Sequence, residues 1–384
     1  MEKSRFAYAS LCFLAIALSF FYVGVRLRGD FLNGGNAWKQ GDWLINSTQH
    51  PIRRSFSGDI LISISDWMGV SPLLVTVGFQ SLILFFLAVT VGAVVFKNWN
   101  NTAFLAVILS PAFFPVFWAV DAQGSMRKEI LAYASMSALV ILALAPRFRR
   151  FFLLLSVILF SFATLSHEGM VFFAPVYIFL TLVLADNDRI TKTEFHLSSF
   201  VIVLVSIAAF TLAVLRHSVD DYLLVCSPLI ERGVDDNICS GAIRWLERDF
   251  NQNNSVIMER ISAGKLFKLA LAYTLSFATI LFFLWHTKAT RGTYIITSVI
   301  GVTFLPLYFL GIDWGRWLNF HFTSVFFIIS IFLSLGLLKT RKEANMTSVF
   351  AISFLNLFWA VGHVNPIRQH GLLQEAFRAL SSLV

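Results

Sequence analysis

The sequence predicts an all-α fold, a polytopic bundle of about eleven transmembrane helices, and three observations predict it. Of the 384 residues 57% are hydrophobic, 41 of them Phe, and only 14% are charged, whereas a soluble domain is about 45–50% apolar and about 25% charged. Apolar runs of roughly 17–25 residues, the length that crosses a bilayer, recur along the whole chain. Lys and Arg collect in alternate short connections between those runs, the pattern left by retention of positive charge on the cytoplasmic side. The chain therefore reads as one integral membrane domain over residues 1–384 with the lipid bilayer as its first partner.

In order, the spans fall near Phe6–Val25, Ser71–Phe96, Thr102–Val120, Ile130–Ala145, Phe151–Leu165, Met170–Ala185, Leu197–Leu215, Leu266–Trp285, Tyr294–Gly311, Leu318–Leu338 and Thr347–Val361. No small-residue cleavage site follows the first run, so it reads as a retained span. Pro111 and Pro115 predict a kink in Thr102–Val120, with the freed backbone groups satisfied by neighbouring helices. The inner connections carry Lys3 and Arg5, Lys97, Arg147–Arg150, Arg189 and Lys192, Lys288 and Arg291, and Lys339–Lys342. That places the N-terminus inside and the C-terminus outside.

The remaining ionisable residues fall in the outer connections. The first, residues 26–70, contains HPIRRSFSGDILISISDWMGVSPL. Pro51 and Ser55–Gly58 mark a turn there, and Asp59–Met68 reads as a short interfacial helix. Arg53 and Arg54 precede it with planar forks of donors that suit phosphate oxygens, or else contact lipid headgroups. In DAQGSMRKE, Asp121–Glu129, the residues Arg127 and Lys128 stand where the positive-inside rule disfavours them, as does Arg316 in DWGRW. An anionic ligand outside accounts for all three; local ion pairs at helix ends are the alternative.

His167 and Glu168, in SHEG, close an otherwise apolar span and suit acid/base chemistry, or form a helix-end pair with a neighbouring Arg. Asp313 and Arg316, three apart and framed by Trp314 and Trp317, read as a short turn at the membrane boundary. His167, His363 and His370 lack metal-binding spacing, so no metal or other cofactor is expected. The second long connection, residues 216–265, reads as a small solvated cap. It holds Cys226 and Cys239, which form a disulfide in an oxidising compartment or stay as two thiols. In the tail, residues 365–384, Leu372, Leu373, Phe377, Leu380 and Leu383 follow helical spacing and predict an amphipathic surface helix. The net charge of +8 is spread over both faces without a basic stripe, which argues against nucleic acid as a partner.

The segments IRRSFSGDILISISDWMGVSPL, DAQGSMRKE, SHEG and DWGRW, placed between spans in this order, resemble the polytopic proteins of bacterial surface-polysaccharide loci. These are the O-antigen, capsule and exopolysaccharide polymerases. The resemblance implies a membrane glycosyltransferase of the bacterial inner membrane. It would join undecaprenyl-pyrophosphate-linked sugar units at the periplasmic face, with inversion, without a metal, and alongside other polysaccharide-assembly proteins. Fixed cations stabilise a pyrophosphate leaving group, and an acceptor hydroxyl needs a base. Arg53, Arg54, Arg127, Lys128 and Arg316 are the expected pyrophosphate and substrate clamps, with His167, Glu168 or Asp313 as the base. Asp42, Asp59 and Asp66 of the first outer connection lack the acidic-pair motif of the other large class of lipid-sugar transferases. A lipid-linked sugar flippase or transporter would instead place charges near the bilayer midplane on broken helices, often in repeated halves. A non-catalytic assembly partner would tolerate single replacement of the outer charges.

Overall fold

The computed structural model describes residues 2–381 apart from 217, 249 and 342. Lys342 of the inner charge cluster, Leu383 of the tail and the Leu380 side chain lie outside that description. Among the described residues the fold is helical throughout, with two isolated bridges and no strand. Eight helices are long and apolar enough to cross a membrane: Glu2–Leu32, Pro72–Lys97, Pro146–Ser166, Glu168–Asp186, Lys192–Leu215, Ala263–Trp285, Arg291–Leu310 and Trp314–Ser334. Glu129–Leu144 and Met346–Phe358 are shorter apolar helices. The chain divides into two compact units. The first holds Met1–Val23, Ala88–Ser125 and Val256–Val384; the second holds Gly24–Leu87 and Met126–Ser255. Two of the boundaries fall inside the helices Glu2–Leu32 and Pro72–Lys97, where no linker composition marks them.

In the second unit, Glu129–Leu144 packs along Arg149–Ser166. Polar side chains between helices satisfy each other there: Ser135 donates to the Ser156 carbonyl at 2.7 Å, and the Ser156 hydroxyl meets Tyr177 at 2.8 Å. Lys192–Leu215 starts on a capping box, Thr191 with Glu194, which satisfies two otherwise orphaned amides. The expected span Met170–Ala185 opens instead as a 3-10 turn, Glu168–Phe173, and becomes α-helical only from Ala174. The short helix expected at Asp59–Met68 runs over Phe56–Met68 and stops on Gly69 in the left-handed conformation. A Cβ on Gly58 would stand 2.0 Å from the Ile45 carbonyl oxygen, so only glycine lets this helix lie against the preceding segment. Cys226 and Cys239 are disulfide-bonded, with Cα atoms 5.9 Å apart. Their cap is tied down by Arg232 on Asp66 and by Asn46 on the Val225 carbonyl.

In the first unit, Trp314–Ser334 is buried along nearly its whole length. The proline-containing segment breaks into Thr102–Ile108 and Phe114–Val120. Asn319 donates to the Ala112 carbonyl at 2.8 Å and Asn356 to Ala106 at 3.1 Å, so neighbouring side chains take up carbonyls at and before the break. The expected span Tyr294–Gly311 is likewise interrupted, by a 3-10 turn at Ile300–Phe304 before Pro306. The tail forms a helix over Leu372–Ser381.

Candidate functional site

Five of the residues singled out in the sequence meet in the second unit. Arg54 Nε stands 2.9 and 3.0 Å from the two Glu168 oxygens, and its Nη2 lies 2.5 Å from Oε1. Arg53 Nη1 reaches the same Oε1 at 3.3 Å. Glu168 is available to both because the chain unwinds at His167, whose extended backbone ends one helix before the 3-10 turn begins. Arg53 is fixed by its amide, which donates to the Arg216 carbonyl at 2.8 Å. Arg54 is held at φ 66°, a region that costs a non-glycine residue about 1–3 kcal/mol and persists only where its surroundings enforce it.

Lys128 supplies part of that enforcement. Its side chain is wholly buried, and Nζ donates to the Arg54 carbonyl at 2.9 Å and the Ser166 carbonyl at 3.1 Å. Asp42 Oδ1 lies 3.8 Å away. Burial pushes Lys128 down to about 8, against the pull of Asp42, so it is still largely charged at neutral pH. A second left-handed residue, Met126 at φ 56°, precedes it. The Met126 carbonyl accepts from Trp43 Nε1 and Gln80 Nε2. Arg127 stacks its guanidinium over Trp38 at 5.7 Å. Lys128 is thus a buried tie behind Arg54, while Arg53, Arg54, His167 and Glu168 retain partial exposure.

His167 Nδ1 accepts the Gly169 amide at 3.0 Å. Burial, with Arg54 next, lowers the imidazole to about 3. The ring is neutral, and with Nδ1 accepting, its proton sits on Nε2. Burial, with Arg54 beside it, lowers Arg53 to about 10, which leaves it charged at neutral pH.

Asp313 and Arg316 belong to the first unit. They pair at 2.6 Å, and Arg316 lies in the first turn of Trp314–Ser334, not in a free turn. Arg316, Trp314 and Trp317 are all buried, so these residues are packed inward, and the helix starts at Trp314, earlier than hydropathy indicates. Gly315 donates to the His363 carbonyl at 3.0 Å, and a Cβ on it would stand 1.9 Å from the Gly362 oxygen. Only glycine permits that approach.

That contact leads to a pair of residues that no sequence motif joins. Asp121, buried at the end of Phe114–Val120, accepts from the His363 amide and from His363 Nδ1 at 2.8 Å. Arg368 approaches the same carboxylate at 4.0 Å. Burial, the largest single influence, would raise Asp121, but the hydrogen bonds and charge of His363 and the charge of Arg368 together outweigh it and hold the carboxyl at about 2. The two partners lie 242 positions apart, and no periodicity connects them. Among the described residues no three His, Cys, Asp or Glu side chains are grouped to hold a metal ion. No family model matches the chain, and neither a curated protein nor a solved structure matches it.

Proposed function

We propose that the chain is a membrane-embedded glycosyltransferase of the polysaccharide-polymerase kind, in which Arg53 and Arg54 hold the pyrophosphate of an undecaprenyl-pyrophosphate-linked sugar. The observation that carries this reading is the pair of partly exposed guanidiniums sharing the single Glu168 carboxylate at the junction of two apolar helices. Cations outnumber carboxylates there once Lys128 and Asp42 are included. An incoming pyrophosphate can take guanidinium donors in the bidentate manner that Arg favours. Its charge grows as the anomeric bond breaks, and donors already fixed in place stabilise it without reorganising. Arg54 is fixed through its strained backbone and Lys128, and Arg53 through Arg216. His167, as an Nε2–H donor, suits a phosphate or sugar oxygen.

The finer topology belongs to the same reading: about eleven spans, N-terminus inside, C-terminus outside, and the Arg53/Arg54 face toward the periplasm of a bacterial inner membrane. A disulfide in the cap fits an oxidising compartment on that side.

The test is surface-glycan profiling of a deletion strain complemented with wild type, Arg54→Ala or Arg54→Lys, with membrane levels matched. The expected result is loss of the long-chain ladder with single repeat units retained. Arg54→Lys keeps the charge without the fork and is expected to recover only part of the ladder. A full ladder from Arg54→Ala would overturn the assignment of the clamp.

A further inference from the structure

In the second unit, the turn between Glu129–Leu144 and Arg149–Ser166 carries more positive charge than its surroundings answer. Residues 146–151, in the order PRFRRF, line an open cavity of about 360 Å³. Arg149 Nε and Arg150 Nε share one carboxylate, each 4.0 Å from Glu194 Oε1. That separation is too long for a hydrogen bond, and Glu194 Oε2 is already taken by the Thr191 amide at 2.7 Å in the capping box. Arg147 has no carboxylate partner among the described residues and lies over the Phe148 ring at 4.8 Å. The arginines also gather at the start of an 18-residue helix with no acid in its first turn, where the helix dipole opposes cations. Retention of positive charge on one side of a membrane does not distinguish Arg from Lys. Three planar forks within four residues suit phosphate oxygens in particular.

Beside the arginines the surface turns apolar. Phe148 and Phe151 are exposed, and Leu154 and Ile158, exposed as well, continue the Phe151 face at helical spacing. Headgroup donors and an apolar track therefore follow one another along a single helix. We propose that the turn at Arg147–Arg150 is a binding site for an anionic phospholipid. The guanidiniums hold the phosphate, and an acyl chain lies along Phe151, Leu154 and Ile158. Basic pockets at the ends of membrane helices take anionic headgroups in this way. Arg147, engaged by a ring and not by a carboxylate, turns to the phosphate without displacing Glu194. The site is independent of the transferase reading.

The experiment uses the full-length chain purified in a neutral detergent and titrated with phosphatidylglycerol or phosphatidylcholine, with bound lipid counted by native mass spectrometry. Wild type is expected to retain one phosphatidylglycerol that phosphatidylcholine does not replace. Arg147→Gln/Arg150→Gln is expected to weaken that lipid about 10- to 30-fold. Lys339→Gln/Arg341→Gln removes the same charge from the first unit and is expected to keep the wild-type affinity. All four positions are exposed, so a loss reports on the lipid and not on unfolding. An equal loss in both variants would mean a diffuse surface potential and overturn the site. Wild-type affinity in Arg147→Gln/Arg150→Gln, or equal competition by phosphatidylcholine in wild type, would overturn it too.

Discussion

Lys128 illustrates what a single residue contributes beyond its type. In the sequence it is a cation against the topological grain, and a ligand is the simplest reason for it. In the fold it is a buried tie among three chain segments, through the Arg54 carbonyl, the Ser166 carbonyl and Asp42. Replacing it by Met keeps the volume but leaves two carbonyls and a carboxylate without their cation. Lys128→Met is therefore expected to destabilise the second unit by about 3–5 kcal/mol, the cost of breaking a buried pair from one side. Adding Asp42→Asn is expected to restore part of it, since the orphaned charge is then removed. Thermal unfolding of the purified chain in detergent checks both; equal midpoints for wild type and Lys128→Met would show that Lys128 ties nothing. Arg53, Arg54, His167 and Glu168 were legible as a group because charges at the ends of apolar runs stand out. Asp121 and His363 were not, because each sits among other polar residues in its loop and only folding selects the pair.

At the scale of elements, length and apolarity announced the helices well and their interruptions poorly. Pro111 and Pro115 marked the break at residues 109–113, since proline removes a donor and clashes with the preceding turn. The 3-10 turn at Glu168–Phe173 had no such signal beyond Gly169 and Pro175, yet it brings Glu168 to the arginines. The cap expected over residues 216–265 was legible through its charge and its two cysteines, but not the packing that anchors it on Asp66 and Asn46. Closing a short loop by a disulfide contributes about 2–4 kcal/mol, mainly by restricting the open chain. Cys226→Ser is expected to open the cap locally by that amount and leave the apolar helices intact. Limited trypsin digestion should then cut near Arg244, exposed in the cap, tens of times faster than in wild type. An unchanged rate would mean the Asp66 and Asn46 contacts hold the cap without the bridge.

For the whole molecule, the hydrogen bonds of the second unit constrain how the chain is threaded. Lys128, Ser166, Glu168, Arg216 and the segment around Arg53 and Arg54 all meet on one face of that unit. Between Lys128 and Ser166 lie the helices Glu129–Leu144 and Arg149–Ser166; between Glu168 and Arg216 lie Ala174–Asp186 and Lys192–Leu215. Each pair takes the chain away and returns it to the same face, so the turns at Arg147–Arg150 and Asp188–Lys192 belong to the opposite one. Those turns carry the basic residues, so in the proposed orientation, with Lys and Arg retained on the cytoplasmic side, they lie inside. Glu129–Leu144, although only 16 residues long, spans about 24 Å at 1.5 Å per residue, close to the roughly 30 Å hydrocarbon core. The expected labelling follows. With a membrane-impermeant maleimide on intact spheroplasts, Asp220→Cys should react and Arg150→Cys should react only after permeabilisation. Both positions are exposed, so failure to label reflects the bilayer and not burial. The reverse pattern would invert the molecule, carry Arg53 and Arg54 to the cytoplasmic side and remove the periplasmic substrate; labelling of both in intact spheroplasts would mean that the Glu129–Leu144 and Arg149–Ser166 pair does not cross.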